Sequence, residues 1–190
     1  MSSFGFNKTE IIATALTLVV ILVAIIFNFR ISLRRERDFQ RKNDLQSIVK
    51  ALEAFHVDTA SFPQSFEGKI VACHGGIDEA GTPQPVACGW YGDSLTNIFT
   101  GTVFLERLPT DPKHNQGARY YYISNGRYFQ IYAALEGTDE AEYDEQIVSR
   151  NIFCGTSVCN YGKSFAGAPL DKSIEEYENE LRMQGKLNEN

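Results

Sequence analysis

The sequence predicts an α+β protein: one long N-terminal helix, apolar in its first half and amphipathic in its second, packed on a small antiparallel sheet. Three observations carry this expectation. An apolar run from Ile11 to Phe29 continues without Pro or Gly into a stretch from Ile31 to about Val57. Within that stretch Leu45, Ile48, Val49, Leu52 and Phe55 recur at spacings of three and four, which places one apolar stripe on a helix. Later, two aromatic and β-branched runs, Arg119 to Ile123 and Tyr128 to Leu135, flank Ser124, Asn125, Gly126 and Arg127 as a hairpin would. Strands that follow a helix, instead of alternating with helices, define the α+β class.

The first half of the helix reads as a membrane span. At about 1.5 Å of rise per residue, the run from Ile11 to Phe29 covers about 28 Å, close to the hydrocarbon thickness of a bilayer. Inside it Thr14 and Thr17 can bond back to the preceding turn. Glu10 stands at its edge, either as a functional carboxylate or as a headgroup-level group favoured by the helix dipole. No small-residue cleavage site follows Phe29, so an ordinary signal peptidase is expected to leave the span in place. The basic residues Arg30, Arg34, Arg35, Arg37, Arg41 and Lys42 cluster beyond it, where an interaction with phospholipid headgroups is the plain reading. Counting Lys and Arg on either side of the span would put the soluble part in the cytoplasm. The cysteines argue for the opposite side.

All four cysteines, Cys73, Cys88, Cys154 and Cys159, come after the span, and their even number suggests disulfides in an oxidising compartment. Closeness in sequence favours Cys73 with Cys88 and Cys154 with Cys159, among three connectivities. Zinc, with Cys73 and His74 among its ligands, is the minor alternative, since no paired CxxC spacing is present. From about Ser65 to Pro112 the chain is rich in Gly, Pro and Thr and reads as a stapled loop region. It is expected to hold a short strand and a small helix near Leu95 to Leu105, with Trp90 and Tyr91 as packing anchors. A third strand is expected around Ile147 to Cys154. From Asp171 to Asn190 the chain is polar and helix-prone, with Ile174, Tyr177 and Leu181 on one face.

Chemistry leaves little trace. Net charge is −6 and the pI about 5.1, so the chain as a whole carries no bias toward nucleic acid, and any such role would have to come from a local patch. His56, His74 and His114 lie on different segments, and no GxSxG, HExxH or phosphate-cradling loop is present, which argues against an enzyme. No cofactor is expected. Calcium stays open at the acidic loop, with Asp139 and Asp144 as weak candidates, although the loop lacks the ligand alternation and central Gly of an EF-hand.

The amino end is more specific. Gly5, Phe6 and Glu10, followed at once by an unbroken apolar run, resemble the processing motif of the type IV pilin and type II secretion pseudopilin families. The stretches FQRKNDLQSIVKALEAFHVDTASFPQS, from Phe39 to Ser65, and LPTDPKHNQGARYYYISNGRYFQIYAALE, from Leu108 to Glu136, are similar to the pilin helix end and to the pseudopilin passage from loop into sheet. Cys159, Asn160, Tyr161 and Gly162 sit where small disulfide-bearing pilin-like proteins often close.

The resemblance implies a pilin-like fold with a leader at 1–5, a transmembrane half-helix at 6–29 and an amphipathic half at 30–60. A globular head at 61–170 and a polar tail at 171–190 complete it. It further implies cleavage after Gly5 by a prepilin peptidase, methylation of Phe6, and subunit assembly through Glu10 and Phe6. The implied partners are other pilin-like subunits, the membrane and an assembly machine, with an extracytoplasmic domain that becomes part of a surface filament. Asn7, Lys8 and Thr9 depart from the apolar residues usual before that Glu. They favour the competing reading, a single-pass anchored binding protein that never polymerises.

Overall fold

The computed structural model describes residues 7–185. Helix α1 runs unbroken over Lys8–Thr59. The chain divides into two compact units, Met1–Arg37 and Asp38–Asn190, each described by itself below.

In the first unit, α1 is apolar on all sides from Ile11 to Phe29. Ile11, Leu16, Val20, Ile25 and Phe29 are among many large apolar side chains that stand exposed there. A helix apolar all round suits a lipid or protein surround, not water.

In the second unit, the amphipathic part of α1 buries its stripe as the spacing predicts. Leu45, Ile48 and Leu52 are fully buried, joined by Val49 and Ala51. The helix ends where Ala60 takes a left-handed conformation (φ 60°) and its N–H returns to the His56 carbonyl at 2.8 Å. Pro63 follows, and the chain turns away.

Among the described residues ten strands follow: β1 (Gln64–Phe66), β2 (Lys69–Ile77), β3 (Pro83–Ala87), β4 (Leu95–Thr96), β5 (Val103–Leu105), β6 (Tyr121–Ser124), β7 (Phe129–Ala133), β8 (Phe153–Cys154), β9 (Ser157–Val158) and β10 (Tyr161–Ser164). Helices α2 (Glu145–Ser149) and α3 (Ile174–Met183) and a 3₁₀ turn at His114–Gln116 complete the unit. The fold class is therefore α+β: a long N-terminal helix packed against small antiparallel sheets, consistent with the pilin-like layout.

The central sheet has the order β10-β7-β6, antiparallel throughout, with Tyr122 opposite Ile131 and Lys163 opposite Ile131 on the other side. Alternation along β7 splits its side chains between two cores. Phe129, Ile131 and Ala133 join Tyr120, Tyr122 and the α1 stripe, while Tyr132 and Ala134 join Ile147, Cys154 and Cys159 on the back. In the hairpin between β6 and β7, Gly126 supplies the positive φ (88°), whereas Asn125 works through its side chain, whose Oδ1 accepts from the N–H groups of Arg127 and Tyr128.

The sheet β1-β2-β3 adjoins β6 where the Tyr122 N–H donates to the Gly68 carbonyl at 2.9 Å. Gly68 (φ 76°) is needed there twice over. Its conformation is left-handed, and a Cβ would lie 2.4 Å from the Tyr121 ring.

Four expectations are corrected. The small helix near Leu95 to Leu105 is a hairpin of β4 and β5, because the Asn97 side chain accepts from Phe99 and Thr100 N–H and Gly101 takes φ 78°, closing a turn. The loop region before Pro112 holds the whole β1-β2-β3 sheet. The strand expected around Ile147 to Cys154 is α2, started by the Asp144 side chain capping the Gln146 N–H at 2.8 Å, and only Phe153–Cys154 is extended. β10 takes the third place in the central sheet instead. Tyr91 is no buried anchor: it is 66% exposed, whereas Trp90 packs edge-on against Tyr120.

Helix α3 forms within the polar tail, with Ile174 buried and a capping box in which Ser173 and Glu176 exchange side-chain and backbone bonds. Its segment is held to the back of the sheet by polar bonds: the Gln130 side chain donates to the Pro169 and Lys172 carbonyls, and Arg150 donates to the Leu170 carbonyl and the Tyr132 hydroxyl.

Candidate functional site

Gly5 and Phe6 lie outside the described residues. Glu10 is described: it stands exposed in the first turn of α1, and its Oε2 accepts from the Asn7 N–H at 2.9 Å. A carboxylate in that turn satisfies one of the orphan N–H groups of the helix start.

The polar side chains of the apolar run are all turned onto their own helix. Thr14 Oγ1 donates to the Glu10 carbonyl at 2.8 Å, Thr17 Oγ1 to the Ala13 carbonyl at 2.9 Å, and Asn28 Nδ2 to the Ala24 carbonyl at 3.0 Å. In hydrocarbon an unsatisfied polar group costs several kcal/mol, and these local bonds remove that cost. By length and composition this is the one helix among the described residues able to cross a membrane.

The basic run that looks uniform in sequence divides in the structure. Arg41 is buried, 1% exposed, and its guanidinium meets three carboxylates. Nε and Nη2 donate to Asp111 at 2.7 and 2.9 Å, and Nη1 donates to Asp38 at 2.7 Å and to Glu136 at 3.0 Å. Asp38 also accepts the N–H groups of Glu136 and Gly137, while Lys113 Nζ reaches Glu136 at 2.7 Å. Burial by itself lowers the Arg41 pKa, but the bonds and charge of Asp111, with Glu136 and Asp38, outweigh it and hold the group above its ordinary value. Next to this network, burial raises the Asp44 carboxyl above its usual range, a shift that the Tyr120 hydroxyl, donating at 2.6 Å, only partly offsets.

Sequence reasoning missed this network. Its signal was phase: Asp38, Arg41 and Leu45 fall three and four residues apart, on the face of the apolar stripe.

Lys42 leaves the basic run as well. Its ammonium bonds Glu140 and Glu142, each at 2.7 Å, so two carboxylates of the acidic loop are held by a cation of the protein. Asp144, one calcium candidate, is the α2 cap; Asp139, the other, is exposed. Among the described residues no group of three or more His, Cys, Asp or Glu side chains is arranged to hold a metal ion.

The cysteines pair as closeness predicts, Cys73 with Cys88 and Cys154 with Cys159, and no described cysteine is free. That removes Cys73 as a zinc thiolate. The histidines stay apart: His56 stacks on Phe62, His74 Nδ1 accepts the Gly76 N–H, and His114 stacks on Tyr91. A cleft of about 390 Å³ lies beside the ion network, lined by Arg41, Lys113, Gln116, Glu136 and Asn160. Its charged residues are already bonded to one another.

No protein-family model matches the chain, and no curated protein or solved structure matches it.

Proposed function

We propose that the chain is a non-enzymatic structural subunit of a type IV pilus-like or pseudopilus filament. It is held in the membrane by the apolar half of α1, cut after Gly5 by a prepilin peptidase, and polymerised by an assembly machine whose ATPase is another protein. One observation carries this reading: in sequence Gly5, Phe6 and Glu10 come directly before the run Ile11 to Phe29, which is apolar on every side of α1 and continuous with an amphipathic half packed on a sheet.

In such a filament the apolar helices pack around the axis and the sheets face outward. A carboxylate at Glu10 in that apolar surround needs a cation, and the amine freed on Phe6 of a neighbouring subunit supplies one. Contacts related by a screw operation do not close, so they generate a fibre. Mass spectrometry of the mature amino terminus tests the proposal. Methylated Phe6 is the expected result, and an intact Met1 in assembled material would overturn processing.

A second reading, a single-pass anchored binding protein that never polymerises, is favoured by the polar Asn7, Lys8 and Thr9 and by the local bond that occupies the Glu10 carboxylate. Negative-stain microscopy separates the two, since one yields fibres and the other discrete particles.

A further inference from the structure

Removing Arg41 and Lys42 from the basic run leaves Arg30, Arg34, Arg35 and Arg37, all in the first unit and all within eight residues of Phe29. We propose that these four arginines form a collar that binds the anionic headgroups of the phospholipid leaflet adjoining Phe29 while the protein resides in the membrane. This inference rests on the membrane-spanning part of the reading above and not on cleavage after Gly5.

Axial position is the first argument. If residues 11–29 fill the hydrocarbon, Arg30 emerges at its boundary and Arg37 lies about 10 Å further along the helix. The headgroup layer is about 5–8 Å deep on each side, and an arginine side chain can reach back along its apolar stem.

Angular position is the second. At about 100° per residue, Arg30, Arg34 and Arg37 share one side of the helix, while Arg35 lies about 140° around from Arg30. Arg30 and Arg35 are exposed, and Arg34 and Arg37 half-buried. Charge carried on both sides suits a ring of lipids, whereas a protein partner would need a single face. Arg34, Arg35 and Arg37 also have interactions of their own. A guanidinium has five N–H donors and can serve a carboxylate and a phosphate together.

Charge segregation is the third. Before Asp38 the chain has five Lys and Arg against two Asp and Glu, and from Asp38 onward thirteen against twenty-two. An anionic surface therefore attracts the collar, Glu36 included, and repels the rest of the chain.

The test uses the full-length, uncleaved chain in vesicles of phosphatidylcholine containing a minor fraction of phosphatidylglycerol. Spin-labelled versions of each lipid report the fraction immobilised by the protein. A preference of roughly three- to ten-fold for phosphatidylglycerol is expected at low salt, falling toward unity at high salt and in the double variant Arg30→Gln/Arg35→Gln. Lys163→Gln, on β10, should leave the preference intact. Equal immobilisation of both lipids by the wild type, or a preference unchanged in the double variant, would overturn the collar. Because the chain is uncleaved, neither result depends on whether Phe6 is ever exposed, so failure of the filament reading is read separately from the mature amino terminus.

Discussion

Arg41 and Asp111 form a two-point ion pair across seventy residues of sequence, Nε to Oδ2 at 2.7 Å and Nη2 to Oδ1 at 2.9 Å, with both side chains only 2% exposed. The pair ties α1 to the loop ahead of the central sheet. Burying a charge is costly, so its value lies in the alternative it forbids: without Arg41, Asp38 and Asp111 remain buried with no countercharge.

Arg41→Ala should accordingly destabilise the second unit by about 3–5 kcal/mol, lowering the thermal midpoint of the detergent-solubilised chain by about 10–15 °C. Lys42→Ala removes partly exposed pairs to Glu140 and Glu142 and should cost less than about 1 kcal/mol. Equal losses in the two variants would show that the buried network contributes no more than a surface bridge.

Asp44 gives a pH dependence of unusual sign. Its folded pKa is raised above the ordinary 3.8, so the native state holds this proton more tightly than the unfolded chain. The stabilising contribution is present at acid pH and is lost as pH rises from 3.8 through the raised value. Asp44→Asn keeps an acceptor for the Tyr120 hydroxyl and removes the charge facing Asp111. We expect a midpoint above that of wild type at neutral pH, with the difference vanishing as pH falls through the carboxylate range. A variant less stable than wild type at pH 7 would rule this out.

The disulfides should rank by the loops they close. Cys73 to Cys88 spans 15 residues and Cys154 to Cys159 spans 5. In the chain-entropy account these are worth about 3 and about 2 kcal/mol. The paired variant Cys73→Ser/Cys88→Ser should therefore melt below Cys154→Ser/Cys159→Ser. The reverse order would indicate that the short bridge acts mainly by pinning Gly155, where a Cβ would lie 1.9 Å from the Gly117 carbonyl oxygen.

If the chain polymerises as proposed, Glu10→Ala should insert in the membrane as wild type does and fail to form filaments. Because its carboxylate caps the Asn7 N–H among the described residues, the helix itself should lose about 1 kcal/mol or less. Normal filament yield from this variant would remove the intersubunit role of Glu10.

The sequence by itself determined the elements whose signal is local or periodic. The length of α1, its apolar first half, the stripe from Leu45 to Phe55 and the hairpin around Asn125 and Gly126 are properties of neighbouring residues, set by side-chain period and turn chemistry. The disulfide pairs were legible for the same reason, since short loops close at least entropic cost.

Tertiary structure decided what depends on distant partners. Six basic residues in one run look alike until the fold buries Arg41 against Asp111 and holds Lys42 on Glu140 and Glu142. Segments 95–105 and 147–154 departed from their expected conformations because the turn and helix start that Asn97 and Asp144 cap are also tied to distant chain: Asn97 Nδ2 donates to Asp58 at 2.7 Å and the Asp144 N–H donates to the Asn160 carbonyl at 2.8 Å. Such bonds are worth about 1 kcal/mol each, comparable with the difference in propensity between strand and helix, so packing chose between them.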